Sequence, residues 1–178
     1  MPGPEVGTIP FVGSPSDLLS PRLIITVGLP GSGKSTYLRE LGVEALASDE
    51  LRRLLLDDVD NQSANRLIFS TLRSLVRIRL GLRRPATYVD ATHLSTWERR
   101  PWIAMADLHG CTAEAIYFDV PFEECLARNR KRSRQVPEDV MRNMANRLTP
   151  PTAAEGFHRI ITVRETSERP VPDCSLQL

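Results

Sequence analysis

Gly28-Leu29-Pro30-Gly31-Ser32-Gly33-Lys34-Ser35 is a complete GxxxxGK[ST] phosphate-binding loop, and it decides how the rest of the chain is read. Its glycines let the backbone turn tightly, so that the N–H groups of Gly31, Ser32 and Gly33 can point inward at phosphate oxygens. Lys34 brings a point charge to the β- and γ-phosphates, and Ser35, followed by Thr36, offers a hydroxyl to Mg²⁺. The flanks agree with this reading. Leu23-Ile24-Ile25-Thr26-Val27 is a short apolar, β-branched run of buried-strand type, and Ser35 to Leu41 reads as the start of a helix. A strand–loop–helix sets the positive end of the helix dipole against the phosphates. The chain has 23 cationic residues, of which only Lys34 and Lys131 are lysine. In so arginine-rich a chain, a lysine at this position points to a need for the compact ammonium.

The length of 178 residues suits one domain with its own core. Net charge is +1, so no global excess announces nucleic acid or a membrane. Cys111, Cys125 and Cys174 are isolated, without CxxC spacing, which argues against a disulfide framework or zinc site and fits a reducing cytoplasm. No apolar run approaches the ~18 residues a membrane span needs, so no membrane association is expected. Residues 1–21 are rich in proline and glycine and read as an extended tail, with Ile9-Pro10-Phe11-Val12 as a short docked piece. Residues 165–178 read as a second tail, leaving 22–164 as the folded domain.

Between the tails, strand and helix alternate. Strands are expected at Leu23–Val27, Val43–Ala47, Ala86–Val89, Ala113–Phe118 and Arg159–Val163. Helices are expected at Lys34–Leu41, Glu50–Leu56, Ser63–Leu80, Trp97–Leu108, Phe122–Arg130 and Pro137–Leu148. In the third helix Leu67, Ile68, Leu72, Leu75 and Val76 mark a core face, and Arg66, Arg73 and Arg77 read as a solvated face. Ser95-Thr96-Trp97-Glu98 has capping-box spacing, but Pro101 leaves the start of that helix open between Ser95 and Pro101. Five strands with helical crossovers imply an α/β fold, a five-stranded parallel sheet sandwiched by helices. Ligands then bind at the carboxyl ends of the strands, so polar residues just past each strand are the candidates for chemistry.

Past the second strand stand Asp49 and, one helical turn on, Arg52. A carboxylate here can take a hydroxyl proton from a phosphoryl acceptor, and the arginine can hold a phosphate or carboxylate of that acceptor. The plainer reading is a helix N-cap at Asp49 with Arg52 exposed. Past the third strand, Tyr88-Val89-Asp90 is a Walker-B-like signal tied to Mg²⁺ or its waters, Asp49 being a further water-mediated metal candidate. His93 follows as a substrate-contact candidate or a surface residue. Past the fourth strand, Arg128-Asn129-Arg130-Lys131-Arg132-Ser133-Arg134 packs cations densely. It reads as a helical, Arg-rich lid that presents arginine to the transferring phosphoryl group, with Arg128 and Arg132 as the nucleotide-side candidates.

In this order the motifs resemble the 5′-OH polynucleotide kinase domains of bacteriophage and bacterial end-healing enzymes. The resemblance runs from about Leu23 to Val163. It takes in the phosphate loop, Ser48-Asp49 with Arg52, Val89-Asp90-Ala91-Thr92, Glu98-Arg99-Arg100, Asp119-Val120-Pro121, the Arg128 to Arg132 lid, Gln135-Val136 and Glu155-Gly156-Phe157. It implies ATP as donor, Mg²⁺ as cofactor and a 5′-OH RNA or DNA end as acceptor. Asp49 would be the general base, Arg52 the anchor of the acceptor's 3′-phosphate and Arg132 the stabiliser of the transferring group, with Lys34 and Ser35 on phosphate and Mg²⁺. The lid is one residue shorter than in the bacterial module, so Arg132 and Arg134 are alternatives, and His93 stands where the family often has Asn. No DxDxT phosphatase signature is present, so the resemblance also implies a stand-alone kinase or excised module, with phosphatase or ligase partners on separate chains. Two rival readings share the loop: a P-loop kinase of a small-molecule hydroxyl, and a nucleotide-dependent binding or switch protein.

Overall fold

The computed structural model describes residues 20–57 and 63–164. The expected tails at 1–21 and 165–178, and the docked piece at Ile9 to Val12, lie outside the described residues apart from Ser20 and Pro21.

Five strands, β1 (Arg22–Val27), β2 (Ala45–Ala47), β3 (Ala86–Asp90), β4 (Thr112–Asp119) and β5 (Arg159–Arg164), form one sheet in the order β2-β3-β1-β4-β5. Every pairing is parallel, from Ala45 beside Tyr88 at one edge to Asp119 beside Arg164 at the other. The apolar run Leu23 to Val27 is therefore the central strand. It is buried on both faces, as a continuous β-branched run requires. Six α-helices join the strands: α1 (Lys34–Glu40), α2 (Ser48–Leu56), α3 (Asn65–Gly81), α4 (Thr96–Leu108), α5 (Phe122–Arg130) and α6 (Glu138–Arg147).

The period of two along β1 divides the core. Leu23, Ile25 and Val27 face α3 and α4, where Ile68, Leu72, Val76, Trp102 and Met105 close over them. Ile24 turns to the other face and packs with Tyr37 and Leu38 of α1 and Phe118 of β4. A third cluster joins Leu29 of the phosphate loop to Leu94, to Cys125 and Leu126 of α5 and to Met141 of α6. The loop is thereby seated on the two helices that flank the arginine-rich segment.

Two local readings are corrected and one left open is decided. The buried stripe of α3 is Ile68-Leu72-Val76-Leu80, a strict i, i+4 row, while Leu67 is 55% exposed. One residue of phase moves a side chain by 100°, enough to carry Leu67 off the sheet. The helix after β2 begins at Ser48, so Asp49 lies in its first turn and Ala47, which has no capping side chain, is the N-cap. Finally, α4 begins ahead of Pro101: Ser95 Oγ accepts from Glu98 N, while the Glu98 carboxylate accepts from Leu94 N, one residue upstream of a true capping box.

Candidate active site

Gly33 is the N-cap of α1 at φ 93° and has no side chain to occupy the first N–H groups of the helix, which leaves them for an anion. Gly31 is required by space as well as by its φ of 81°. A Cβ there would stand 2.4 Å from the Cys125 carbonyl oxygen, so the loop lies directly against α5. Lys34 Nζ donates to the carbonyls of Gly28 (3.0 Å) and Leu29 (2.7 Å), folded onto its own loop. Burial pulls its pKa down to about 8, partly offset by Asp90, and the nearby Arg132 guanidinium pushes in the same direction as burial.

Ser35 Oγ donates to Asp90 Oδ2 at 2.5 Å. The other Asp90 oxygen is 3.2 Å from Thr26 Oγ1, which also lies 2.8 Å from the Ala91 carbonyl. A hydroxyl and a carboxylate converging beside a phosphate loop make a hard-oxygen donor pair, the chemistry Mg²⁺ takes when phosphate and water complete its octahedron. Among the described residues no group of three or more His, Cys, Asp or Glu side chains is placed to hold a metal without such help. Thr36 is exposed beside Ser35, and Ser32 is buried with its Oγ 3.5 Å from Lys34 Nζ.

Asp49 sits in an arginine clamp. Arg52 Nη1 donates to its Oδ1 at 2.8 Å, and Arg134 Nη1 is 3.1 Å from its Oδ2. Arg52 is not the exposed residue of the plainer reading: it is 5% exposed, its Nη2 donates to Asn65 Oδ1 at 2.5 Å, and its Nε is buried without a partner. Each carboxylate oxygen has a second lone pair, so Asp49 can still accept a proton while both arginines hold it. The arginine segment divides its labour: Arg132 stands near Lys34, while Arg134 reaches Asp49. Arg128 lines the same cleft from the last turn of α5, 3.8 Å from Glu124.

The segment is not helical throughout. The helix stops at Arg130, and Arg132 and Arg134 ride on a loop. Asn129 closes that loop: it is 2% exposed, its Nδ2 donates to the Val136 carbonyl at 2.8 Å and its Oδ1 accepts from Val136 N at 3.0 Å. An asparagine between arginines gives no sequence signal of this bridge.

His93 is buried, at φ 44°, with Nδ1 2.8 Å from the Thr26 carbonyl. That carbonyl can only accept, so Nδ1 carries the proton and Nε2 keeps a lone pair, which is buried without a partner. Burial drives the His93 pKa down to about 4, with Lys34 and Arg99 adding to the effect. Its ring meets Trp102 edge to face, with centroids 5.5 Å apart. Beneath it, Arg99 is wholly buried and paired in fork geometry with Glu155 (Nε–Oε2 2.8 Å, Nη2–Oε1 2.7 Å). Its Nη1 donates to the carbonyls of His93, Leu94 and Thr149 at 3.0–3.1 Å. The Glu98-Arg99 and Glu155-Gly156 stretches are thus one buried tie that holds the loop after β3.

Lys34, Ser35, Asp49, Arg52, Asp90, His93, Arg132 and Arg134 line one cleft of about 2170 Å³ along the carboxyl ends of the strands. The loop, α1, Phe118, Val163 and Arg128 contribute to its lining, as do Asp49, Arg52, α3, the start of α4 and α6. No helix among the described residues is long and apolar enough to cross a membrane.

Comparison with known proteins agrees with this architecture. The structure is similar to a chain of the Pnkp1/Rnl/Hen1 RNA repair complex, with a TM-score of 0.62 and 22% identity over 72% of this chain and 44% of that one. The present chain therefore spans less than half the length of that relative. It is also similar to Chaetomium thermophilum Kti12 in complex with ADP-AlF3 (TM-score 0.65, 16% identity, 82% of this chain and 90% of that one). A third likeness is to a gluconokinase from Sinorhizobium meliloti 1021 (TM-score 0.56, 16% identity, 81% and 82%). At these identities the likeness is one of fold, and the fold is that of P-loop kinases. The AAA_33 family model, described as an AAA domain, matches residues 23–151, from the central strand past the last helix, and the chain belongs to that family.

Proposed function

We propose that this protein is an ATP-dependent polynucleotide kinase that transfers the γ-phosphate to the 5′-hydroxyl end of RNA or DNA, in nucleic-acid repair. The observation that carries the reading is the Asp49 clamp. A carboxylate at the acceptor end of the cleft, across from Lys34, is gripped by two arginines, one of them buried with an unspent Nε–H. Asp49 takes the proton of the acceptor hydroxyl. Arg52 supplies an N–H to the phosphate beside it. The loop N–H groups and Lys34 hold the donor's β- and γ-phosphates, and Arg132, close to Lys34, stabilises charge on the group in transfer. Ser35 and Asp90 would hold Mg²⁺, which when bound neutralises charge on the β- and γ-oxygens. Catalysis is positioning and charge stabilisation, with one proton moved to Asp49.

The fold is shared with a gluconokinase, so the architecture does not choose the acceptor. The choice rests on Arg52. Incubation with γ-labelled ATP and a panel of 5′-OH RNA, 5′-OH DNA, gluconate and nucleosides is expected to label the oligonucleotides. Label in the small acceptors alone refutes the proposal. Asp49→Asn is expected to lower transfer to the oligonucleotide by about 10²–10⁴-fold. Arg52→Ala is expected to raise KM for the acceptor while ATP affinity stays near that of the wild type. An Asp49→Asn enzyme of full activity would remove Asp49 as the base, and ATP hydrolysis with no label in any acceptor would point to the binding or switch protein instead.

A further inference from the structure

The cleft is larger than this chemistry needs. Sites for one small ligand enclose about 300–1,000 Å³, against about 2170 Å³ here. Among the side chains that line the cleft are several with no task in moving the phosphate.

Two of them are arginines on α3. Arg66 and Arg73 are seven residues apart, two helical turns or about 10 Å along one face. Neither makes an ion pair among the described residues. Arg52, Arg128, Arg134, Arg147 and Arg164, which line the same cleft, are each paired with a carboxylate. The half-buried Phe69 ring stands between them in sequence and lines the same wall. The third feature is Trp97, in the first turn of α4. It lines the cleft and is 80% exposed, whereas the chain's other tryptophan, Trp102, is 3% exposed in the core. Its neighbour Glu98 pins that turn, accepting from Leu94 N and pairing with Arg147 of α6, so the indole is held out by a fixed backbone.

α4 follows the carboxyl end of β3, and the first residue of α3, Asn65, accepts from Arg52. The open indole, the Phe69 ring and the guanidinium groups of Arg66 and Arg73 line the cleft together with Asp49 and Arg52. Such a wall binds a single strand of nucleic acid: cations track the backbone phosphates and an aromatic face stacks an unpaired base. A small hydroxy acid uses one anion site and no stacking face.

We propose that this wall is a strand-binding subsite for the nucleotides 3′ of the phosphorylated end, with Trp97 stacking a base and Arg66 and Arg73 holding backbone phosphates. It rests on the polynucleotide-kinase reading above. The acceptor is single-stranded at that point, because a base within a duplex is already stacked on both faces.

The test compares a 5′-OH nucleoside 3′-phosphate with a 5′-OH single-stranded hexamer, for the wild type, Trp97→Ala and Arg66→Ala/Arg73→Ala. The readout is the ratio of kcat/KM on the hexamer to that on the mononucleotide. Both terms come from one preparation, so loss of folded enzyme cancels. The wild type is expected to prefer the hexamer, and Trp97→Ala to shrink that preference by about 5- to 100-fold. The double arginine variant is expected to shrink it too and to flatten the dependence of log KM on log salt by about 1.4, from two phosphate contacts on a single strand. The hexamer, and not the mononucleotide, is expected to quench the exposed Trp97 fluorescence. A wild-type ratio near one, or a ratio that survives both variants, overturns the subsite while the kinase stands. Absence of transfer to both nucleic acid acceptors overturns the kinase reading and the subsite with it.

Discussion

Binding of a triphosphate should draw protons onto the protein at alkaline pH, through Lys34. Without ligand the ammonium is buried, hydrogen-bonded to the Gly28 and Leu29 carbonyls and a distant Ser32 hydroxyl, and its pKa falls from 10.5 to about 8. Phosphate oxygens at Nζ return the charge to a favourable field and lift the pKa again. With a free-state value of about 8, binding takes up about 0.1 proton at pH 7, about 0.5 at pH 8 and about 0.9 at pH 9. ATP affinity then weakens by about tenfold from pH 7 to pH 9, or about 1.4 kcal/mol. The stability of the free protein runs in the opposite sense. Because the folded pKa is the lower one, the charged lysine destabilises the fold below about pH 8. That penalty, about 3 kcal/mol, is relieved as pH rises from 8 to 10.5. Calorimetric titration of a non-hydrolysable ATP analogue with saturating Mg²⁺, in buffers of different ionisation enthalpy, counts the protons directly. Lys34→Arg, which does not titrate, should bind with none. Uptake below about 0.3 proton at pH 9, or equal uptake by Lys34→Arg, refutes the argument.

Four further outcomes are expected. His93 has a folded pKa of about 4 against 6.5, so it favours the fold above pH 6.5 and loses about 3 kcal/mol of that contribution as pH falls from 6.5 to 4. His93→Asn, which tolerates the positive φ and does not titrate, should flatten the urea midpoint across that window. Arg99→Met strands the buried Glu155 and three carbonyls and should lose about 3–5 kcal/mol, seen as a drop in Tm of about 10 °C. Removal of the exposed Arg53–Glu50 pair by Arg53→Met should barely move Tm. Gly31→Ala drives a methyl into the Cys125 carbonyl, whereas a methyl at Gly33 meets nothing within 4 Å. Steady-state kinetics should show kcat/KM lower by about 100-fold for Gly31→Ala and clearly less for Gly33→Ala; equal losses would refute the packing argument.

Much of this was legible because the determinants are local. The eight residues from Gly28 to Ser35 carry their own backbone demands, and the β-branched runs and i, i+4 stripes mark strands and helices by period alone. Since ligands gather where parallel strands end, Asp49, Asp90 and the arginine segment could be picked out before their positions were known. Phase and partners were not legible in this way. Leu67 and Ile68 are both good core residues, and only the angle at which α3 meets the sheet exposes the first and buries the second.

The sequence by itself determined the sheet, the phosphate loop and the residue types at each strand end, because these follow from spacing and from chemistry borne by single side chains. Tertiary structure alone decided how those side chains are spent. It set Arg134 on Asp49 and Arg132 near Lys34, closed the lid loop through Asn129, hid Arg99 behind the site and buried His93 in its lining. The physical reason is that a guanidinium, an amide or an imidazole has no role until burial removes water and a partner far along the chain takes its place. Arg99 and Glu155 lie 56 residues apart, and no local pattern records that they meet.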